Sequence, residues 1–271
     1  MHNSTSPSKL GKKMPIMEMF GPTIQGEGMV VGRKTMFVRT GGCDYSCSWC
    51  DSAFTWNGEQ KATMMTAREV FNQLTYLAGK IVSTDEITDE DVVLNFDHVT
   101  ISGGNPALIG DAMGEFIHIC QTNGIKIGLE TQGTKWQDWF WNVDDLTISP
   151  KPPSSGMVTD FVKLKHILDQ LLWAHDEHHS TPQPITQFSL KVVVFNDEDF
   201  EYAKNVHKLF PEVPFFVSVG NEDAKEDGDI SGRLLEKLDW LWQKVIDDPG
   251  MNDVRALPQL HTLVWANRRG V

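Results

Sequence analysis

Short apolar strands alternate with amphipathic helices along this chain, and polar or glycine-rich motifs follow the strands directly. The predicted strands cover residues 36–38, 99–101, 125–129, 146–148, 188–195 and 215–219. Strands that alternate with helices form parallel sheets, and ligands bind at the carboxyl ends of such strands. About six units favour an α/β fold, an incomplete (β/α)6 barrel with an open parallel sheet and helices outside, over a closed eight-unit barrel.

Capping residues mark the ends of the first two predicted helices. Thr66 and Glu69 have the spacing of a capping box, in which each side chain accepts from the backbone N–H of the other residue, and Gly79 ends this helix. The second helix covers residues 111–123 and is followed by Gly124, a residue type that ends helices in the left-handed conformation. Further helices are predicted at 161–173, 199–210 and 231–246.

The sequence predicts one domain preceded by a short tail. A chain of 271 residues is long enough for one large α/β domain with a well-developed core. Residues 1–13 are polar with scattered lysines and are predicted to form a disordered tail, whereas residues 14–271 form the single domain. Within it, residues 83–91 and 175–186 are predicted to be surface insertions.

Charge and hydropathy argue against two classes of partner. The formal net charge is −13 at pH 7, whereas nonspecific nucleic-acid binding requires a basic surface. No apolar run approaches the ~20 residues that span a bilayer, and the first residues lack the apolar segment of a secretory leader. We therefore expect a cytoplasmic protein with reduced cysteines that binds neither nucleic acid nor membrane.

Three of the four cysteines lie within eight residues. Cys43, Cys47 and Cys50 have the spacing C-x3-C-x2-C, and three thiolates from one loop leave one iron of a [4Fe–4S] cluster free to bind a small molecule. A structural zinc site normally requires a fourth ligand. Cys120 lies among apolar residues at helical spacing and is predicted to be a core residue, and no histidine has zinc-finger spacing to the loop. The pattern favours an iron–sulfur cluster over zinc or thiol redox chemistry, which remain alternatives.

Motifs around the cysteine loop resemble those of a known superfamily. The loop continues into Asp51-Ser52, and a later predicted strand is followed by Gly103-Gly104, an arrangement that resembles the radical S-adenosylmethionine (SAM) enzymes. More narrowly, the chain from about residue 14 to its end resembles the 7-carboxy-7-deazaguanine synthase family. The segments that carry this resemblance are 20–28, 37–40, 50–52, 148–152 and 258–261.

The resemblance implies a radical SAM barrel and a defined reaction. The family are carbon–nitrogen lyases that convert 6-carboxy-5,6,7,8-tetrahydropterin to 7-carboxy-7-deazaguanine with loss of ammonia, a step in queuosine and 7-deazapurine biosynthesis. A reduced [4Fe–4S] cluster cleaves SAM to a radical that removes a substrate hydrogen, SAM is regenerated, and Mg2+ assists. The protein supplies position, electrostatics and exclusion of water. The implied partners are the pterin, a reductant such as flavodoxin or ferredoxin, and a second copy of the chain in a homodimer.

The same resemblance implies which residues hold the cofactors. Cys43, Cys47 and Cys50 are the cluster ligands, and Ser52 stands where the family places a Thr hydroxyl on Mg2+. The implied SAM contacts are Ser48, Trp49, Gly103, Gly104, Asn105, Ser149, Pro150 and Lys151. Asn105 replaces the usual Glu of the superfamily, which keeps an acceptor oxygen but removes a charge. Structural alternatives exist for Trp49 as a core residue and for Ser52 and Pro150 as turn residues.

Substrate recognition is implied for eight residues in loops and at strand ends. They are Ile24, Gln25, Gly26, Glu27, Arg39, Ser102, Gln259 and His261. Arg39 ends a strand beside the cysteine loop, where its planar guanidinium suits a substrate carboxylate, although a salt bridge with an acidic residue is the alternative. Gln259 and His261 resemble a C-terminal segment of the family that closes over the pocket.

Two other functions remain open from the sequence. A glycyl-radical activase shares the cysteine spacing but acts on a large protein partner, and a non-catalytic zinc-binding module would need only the thiolates. The segment 25–28 together with Arg39 favours a small carboxylated heterocycle as the substrate.

Overall fold

The computed structural model describes residues 11–82, 92–177, 186–222 and 228–271. The predicted insertion at 83–91 lies outside these ranges, and so does 178–185 within the predicted insertion at 175–186. Of the predicted tail, residues 1–10 also lie outside them, whereas Lys13 is already the first residue of the first strand.

Most of the strands belong to one large sheet, and six α-helices are assigned in the described ranges. The strands are β1 (Lys13–Ile24), β2 (Lys34–Thr40), β3 (Thr63–Thr66), β4 (Lys80–Val82), β5 (Val92–Leu94), β6 (His98–Gly103), β7 (Lys126–Thr131), β8 (Asp145–Ile148), β9 (Gln187–Val194), β10 (Phe215–Val219) and β11 (Arg255–Leu257). The helices are α1 (Ala67–Ala78), α2 (Asp111–Thr122), α3 (Phe161–Glu177), α4 (Asp197–Leu209), α5 (Ile230–Asp247) and α6 (Leu260–Trp265).

The large sheet is open, and its central part is parallel. Its order is β11-β10-β9-β8-β7-β6-β2-β1-β3, while β4 and β5 form a separate antiparallel pair. The strands from β2 through β6 to β11 run parallel, whereas β1 is antiparallel to both β2 and β3. The six predicted strands are β2 and β6 to β10, and they follow one another across the sheet in chain order. The predicted open (β/α)6 architecture is therefore confirmed, with β11 as a short further parallel strand.

Local sequence signals account for the first two helices. The capping box of α1 is present, because Thr66 Oγ1 accepts from the backbone N–H of Glu69 and the Glu69 carboxylate accepts from the backbone N–H of Thr66 at 2.7 Å. Helix α1 buries Val70 and Leu74 against the sheet side of the core. In α2 the side chain of Cys120 is fully buried in the same core, so the prediction that it is a core residue is confirmed.

Residues alternate between the two faces of the parallel strands. Val38, Ile101 and Leu129 belong to the apolar core, whereas the neighbouring Ser102 and Glu130 line a cavity on the concave face. Polar side chains are thus collected at the carboxyl ends of the strands, where the functional motifs begin. No helix in the described part of the chain has the length and apolar character needed to cross a membrane.

Candidate active site

A cavity of about 510 Å³ lies at the carboxyl ends of the parallel strands. Its volume falls in the range typical of small-molecule sites. All but three of the residues predicted for the cluster, SAM, Mg2+ and substrate line it, and the three exceptions are Ser48, Asn105 and Pro150. The fold therefore brings together side chains that are more than 230 residues apart in sequence, as in the bond between Gln259 and Glu27.

The loop that carries the three cysteines is held by backbone hydrogen bonds to its neighbours. The N–H of Gly42 donates to Thr55 O at 2.8 Å, and that of Ser48 donates to Ser155 O at 3.0 Å. The Ser48 hydroxyl donates to Ser154 O at 2.8 Å, and Trp49 Nε1 donates to Ser154 Oγ at 3.0 Å. Ser48 thus joins the cysteine loop to the segment after β8, while the Trp49 ring also lines the cavity.

Gly103 and Gly104 lie where the end of β6 passes against the cysteine loop. The N–H of Asn105 donates to Gly42 O at 2.8 Å, and a Cβ atom added to Gly104 would lie 2.0 Å from that carbonyl oxygen. Gly103 has a φ of 116°, which a residue with a Cβ rarely adopts. Both glycines are needed for this contact between backbones, whatever their contact with SAM.

The Asn105 side chain is fully buried and points away from the cavity surface. Its oxygen accepts from Ala107 N and Thr131 Oγ1, and its Nδ2 donates to Asp44 Oδ1 and Thr134 Oγ1, with all four distances between 2.8 and 3.1 Å. In this structure the amide connects the cysteine loop to β7 instead of facing a ligand. A contact between Asn105 and the SAM amino group stays a prediction. Such a contact would compete with these four hydrogen bonds.

The three thiols line the cavity and fit an iron–sulfur cluster better than zinc. Tetrahedral zinc with bonds of about 2.3 Å brings its sulfur ligands within about 4 Å of one another. Over residues 11–82, 92–177, 186–222 and 228–271, Glu27, Asp51 and His261 form the only set of three or more Cys, His, Asp or Glu residues with ligand atoms all within 4.8 Å of one another. At least one pair of the three sulfur atoms is therefore more than 4.8 Å apart, which is wider than the spacing of sulfur ligands on one tetrahedral zinc ion.

Polar donors surround the thiols and are available to tune a cluster. Gln132 Nε2 and the N–H of Tyr45 each lie 3.4 Å from Cys43 Sγ, and Trp56 Nε1 lies 3.4 Å from Cys50 Sγ. Burial raises the pKa of all three thiols, to about 11 for Cys50. The positive charge of bound iron is thus needed to hold them as thiolates, and N–H donors to sulfur shift the reduction potential of such clusters.

Two carboxylates and one lysine form the polar floor of the cavity. The ammonium group of Lys191, in β9, pairs with Glu27 Oε2, and Glu130 lies close to both. Burial alone would raise the pKa of Glu27, but Lys191 outweighs it and the pKa falls to about 2. For Lys191, burial is outweighed by Glu130 and Glu27, so its pKa is raised. Burial raises the pKa of Glu130 despite Lys191. The pKa of Glu27 is therefore lowered and that of Glu130 is raised, so Glu130 gains a proton more easily than Glu27 does.

Gln25 and Gln259 act as braces between segments of the cavity wall. Gln25 Nε2 donates to Glu130 Oε1 at 3.0 Å, while its oxygen accepts from the N–H of Gly26 at 2.7 Å. Gln259 Nε2 donates to Glu27 Oε1, and its oxygen accepts from Asn221 N, both at 2.8 Å. Because both ends of each amide are used, these side chains position the Gly26–Glu27 backbone and carboxylate.

Gly26 lets α6 pack directly on this loop. A Cβ atom at Gly26 would lie 2.3 Å from His261 Nδ1, and the N–H of Leu260 donates to Gly26 O at 3.0 Å. His261 Nε2 lies 4.0 Å from Glu27 Oε1. The segment predicted to close over the pocket thus contacts the predicted substrate loop.

The position of Arg39 is compatible with both roles considered from the sequence, a salt bridge and a contact with the substrate. Its Nη1 donates to Glu18 Oε2 at 2.9 Å, which is the salt bridge of the structural alternative. The guanidinium also lines the cavity, 5.1 Å from the centre of the Phe20 ring. Within the described ranges its Nε and Nη2 have no hydrogen-bond partner, so they remain available to a ligand.

Ser52 and Asp51 place adjacent oxygen atoms on the cavity wall. Ser52 Oγ donates to Asp51 Oδ1 at 3.0 Å, and the Asp51 carboxylate belongs to the close group with Glu27 and His261. A hydroxyl and a carboxylate suit Mg2+ when water and substrate oxygens complete the coordination.

Several cavity residues were missed by the sequence analysis. Lys191 and Glu130 form the floor, and Gln132 donates to both Cys43 and Asp44. The sequence contained one signal for Lys191. This lysine is the single charged residue within the apolar strand β9, where a lysine needs a buried partner of opposite charge. The bond from Gln132 to the cysteine loop has no sequence signature.

Sequence and structure comparisons identify close relatives. The chain is 53% identical over 266 residues to the 7-carboxy-7-deazaguanine synthase of Bacillus subtilis, covering 97% of this chain and 100% of the relative. It is 50% identical over 264 residues to that of Bacillus cereus, covering 96% and 99%. The crystal structure of QueE from Escherichia coli superposes with a TM-score of 0.59 at 19% identity, covering 92% of this chain and 95% of the other.

No protein-family model matches the chain. Identity of 50% or more over nearly the whole of both relatives is nevertheless decisive, and it agrees with the open barrel and with the cysteine loop at its ligand-binding edge. The chain belongs to the 7-carboxy-7-deazaguanine synthase family of radical SAM enzymes.

Proposed function

We propose that this enzyme converts 6-carboxy-5,6,7,8-tetrahydropterin to 7-carboxy-7-deazaguanine with loss of ammonia. The observation that carries the proposal is the single cavity lined by the three cysteines, by Arg39 and by the Gln25–Glu27 loop. Cluster, SAM and substrate residues then line the same cavity, as a reaction between them requires. Family membership sets aside the glycyl-radical activase and the zinc module.

Cys43, Cys47 and Cys50 hold the [4Fe–4S] cluster, and the segments around Trp49, Gly103 and Lys151 hold SAM. When bound, these two cofactors supply the radical that removes a hydrogen from the substrate. Lys151 Nζ lies 3.2 Å from Ser149 Oγ and 6.0 Å from the centre of the Trp49 ring. These contacts place a cation beside the cysteine loop, where it would attract the carboxylate of bound SAM.

The substrate is held by its two ends. Arg39 Nε and Nη2 donate hydrogen bonds to the substrate carboxylate, and the Glu27 loop with Ser102 pairs with the donors and acceptors of the pterin ring. Mg2+ binds Ser52 Oγ, with Asp51 orienting that hydroxyl. The largely buried group of Glu27, Lys191 and Glu130 is the place where a proton can be exchanged during ammonia loss. Glu130 is its carrier, because burial raises the pKa of this carboxyl.

The enzyme works in the cytoplasm as a homodimer and receives its electron from a flavodoxin or ferredoxin. The reductant must be a strong one, because SAM cleavage needs a reduced cluster. These assignments rest on the family resemblance together with the reduced state that the cysteine ligands require.

Product identification tests the proposal directly. Anaerobically purified enzyme is incubated with the pterin, SAM, Mg2+ and dithionite, and the product is identified by mass. We expect 7-carboxy-7-deazaguanine from the wild type and from Cys120→Ala, a matched control in the core, and none from Cys47→Ser. Iron and sulfide analysis accompanies the assay. Stoichiometric zinc without sulfide, or no deazaguanine from the wild type, contradicts the proposal.

A further inference from the structure

One glutamate is shared by two arginines that line the cavity. Glu18 in β1 lies opposite Arg39 in the β1–β2 register. Its Oε2 accepts from Arg39 Nη1 at 2.9 Å, and its Oε1 accepts from Arg269 Nε at 2.8 Å. The Glu18 and Arg39 side chains are 17% and 20% exposed, so their ion pair is partly shielded from water, whereas Arg269 is 38% exposed and reaches Glu18 from the solvent side.

Arg269 is fixed by two further contacts. Its guanidinium carbon lies 3.4 Å from the centre of the Phe54 ring, and its Nη2 donates to Gln60 Oε1 at 3.1 Å. A planar guanidinium held on an aromatic face with its donors engaged has little freedom to move. Arg269 and Phe54 both line the cavity, so this positive charge belongs to the wall that the substrate meets.

The charge balance of the three residues explains why the second arginine matters. Glu18 and Arg39 alone would form a neutral pair, which attracts a substrate carboxylate weakly. With Arg269 on the other carboxylate oxygen, the group of three carries one net positive charge. Arg39 then keeps its Nε and Nη2 for a ligand, because Glu18 engages only its Nη1.

We propose that Arg269 is a specificity-determining residue, which compensates Glu18 so that Arg39 is free to select a carboxylated substrate. The proposal rests on the proposed function, since it assumes that the ligand of Arg39 is the carboxylate of the pterin. Arg269 acts through charge and through Glu18, without touching the reacting atoms. Selection therefore concerns the carboxylated pterin against the same ring without the carboxylate.

The test measures pterin binding and turnover separately. Equilibrium dialysis of 6-carboxytetrahydropterin against the anaerobic SAM-loaded enzyme gives the dissociation constant, and steady-state kinetics give KM and kcat. For Arg269→Gln we expect both constants, Kd and KM, to rise about tenfold or more, as the loss of one partly shielded charge predicts. Because the reacting centre is untouched, kcat should change less than about twofold. Binding of tetrahydropterin without the carboxylate should be unchanged.

Two companion variants separate charge from shape. Arg269→Lys keeps the charge and should keep most of the affinity. Arg269→Gln combined with Glu18→Gln again gives one net positive charge and should recover most of the affinity lost in the single variant. Arg68→Gln is the matched control, because it removes an exposed arginine that also lies over a phenylalanine ring, 6.0 Å from Phe71, outside the cavity.

The outcomes are distinguishable. An unchanged pterin affinity in Arg269→Gln overturns the inference. It is also overturned if the double variant binds the pterin as weakly as Arg269→Gln does, because Arg269 would then act only by closing the cavity mouth. A wild-type enzyme that neither binds nor converts the pterin contradicts the proposed function instead.

Discussion

Replacing Lys191 by Met should destabilise the folded protein strongly. The side chains of Lys191 and Glu27 are 5% and 13% exposed, and the pair lies between a second carboxylate, Glu130, and the apolar residues of β9. Removing one member of such a buried ion pair leaves an uncompensated charge and costs about 3–5 kcal/mol. Met fills nearly the same space, so little of this loss comes from packing.

The measurement is thermal unfolding of anaerobically purified protein at pH 7.5, followed by circular dichroism. For a chain of this size each kcal/mol shifts Tm by about 2–4 °C, so a fall of about 10 °C is expected. The double variant Glu27→Gln with Lys191→Met removes both charges and should recover most of the lost Tm. A single variant within about 2 °C of the wild type would refute the reasoning, because it would show that the pair is solvated.

The pH dependence has a definite sign. Lys191 holds the pKa of Glu27 at about 2, below its usual value of 4.5. The stability that this carboxylate contributes is therefore fully present above pH 4.5 and is lost as the pH falls from 4.5 towards 2. The Tm deficit of the Lys191→Met variant should shrink over that interval, because the wild type then loses the stability that the ionised Glu27 carboxylate contributes.

Three further perturbations test other parts of the site and fold. Burial raises the pKa of Glu130 above 4.5, so ionisation of this carboxyl opposes folding as the pH rises above that value. Glu130→Gln should therefore raise Tm at pH 8 and change it less at pH 5. An equal fall of Tm at both pH values would contradict this reasoning. Gly26→Ala should displace His261 and destabilise the protein by about 1–3 kcal/mol, measured as a lower Tm and faster proteolysis of the C-terminal residues. A Tm and a proteolysis rate equal to those of the wild type would show that the loop around Gly26 moves to accommodate the added methyl group. Thr66→Ala removes one half of the capping box and should cost about 1 kcal/mol by urea unfolding, with no change in pterin binding.

The parallel strands were predictable because each joins an apolar run to a turn motif. The run before Ser102-Gly103-Gly104 and the run before Ser149-Pro150 are buried and β-branched, so their type and direction followed from the pattern. Strand β1 was missed because its residues are mostly half-buried and include Gly21 and Pro22. Its pairing with β2 and β3 comes from contacts between distant segments, which local propensity does not encode.

The residue types of the site were easier to predict than their partners. Cys43, Cys47 and Cys50 share a cavity because a single loop carries them. The substrate contacts of Gln25 and Gln259 stay predictions, but their hydrogen bonds to Glu130 and Glu27 could not be predicted, because they join segments far apart in sequence. Asn105 likewise hydrogen-bonds to Asp44 and Thr131, and such choices depend on the folded geometry of several strands at once.

The hydrogen bonds of the cysteine loop have a consequence for how the enzyme is matured and how it survives oxygen. Ser154, Ser155 and Thr55 anchor the loop through the polypeptide alone. Much of the conformational entropy of the loop is therefore lost when the chain folds, because these hydrogen bonds involve no thiol. Oxidative loss of iron should accordingly leave a folded apoprotein that can be reloaded, unlike a zinc finger, whose folding waits for its metal.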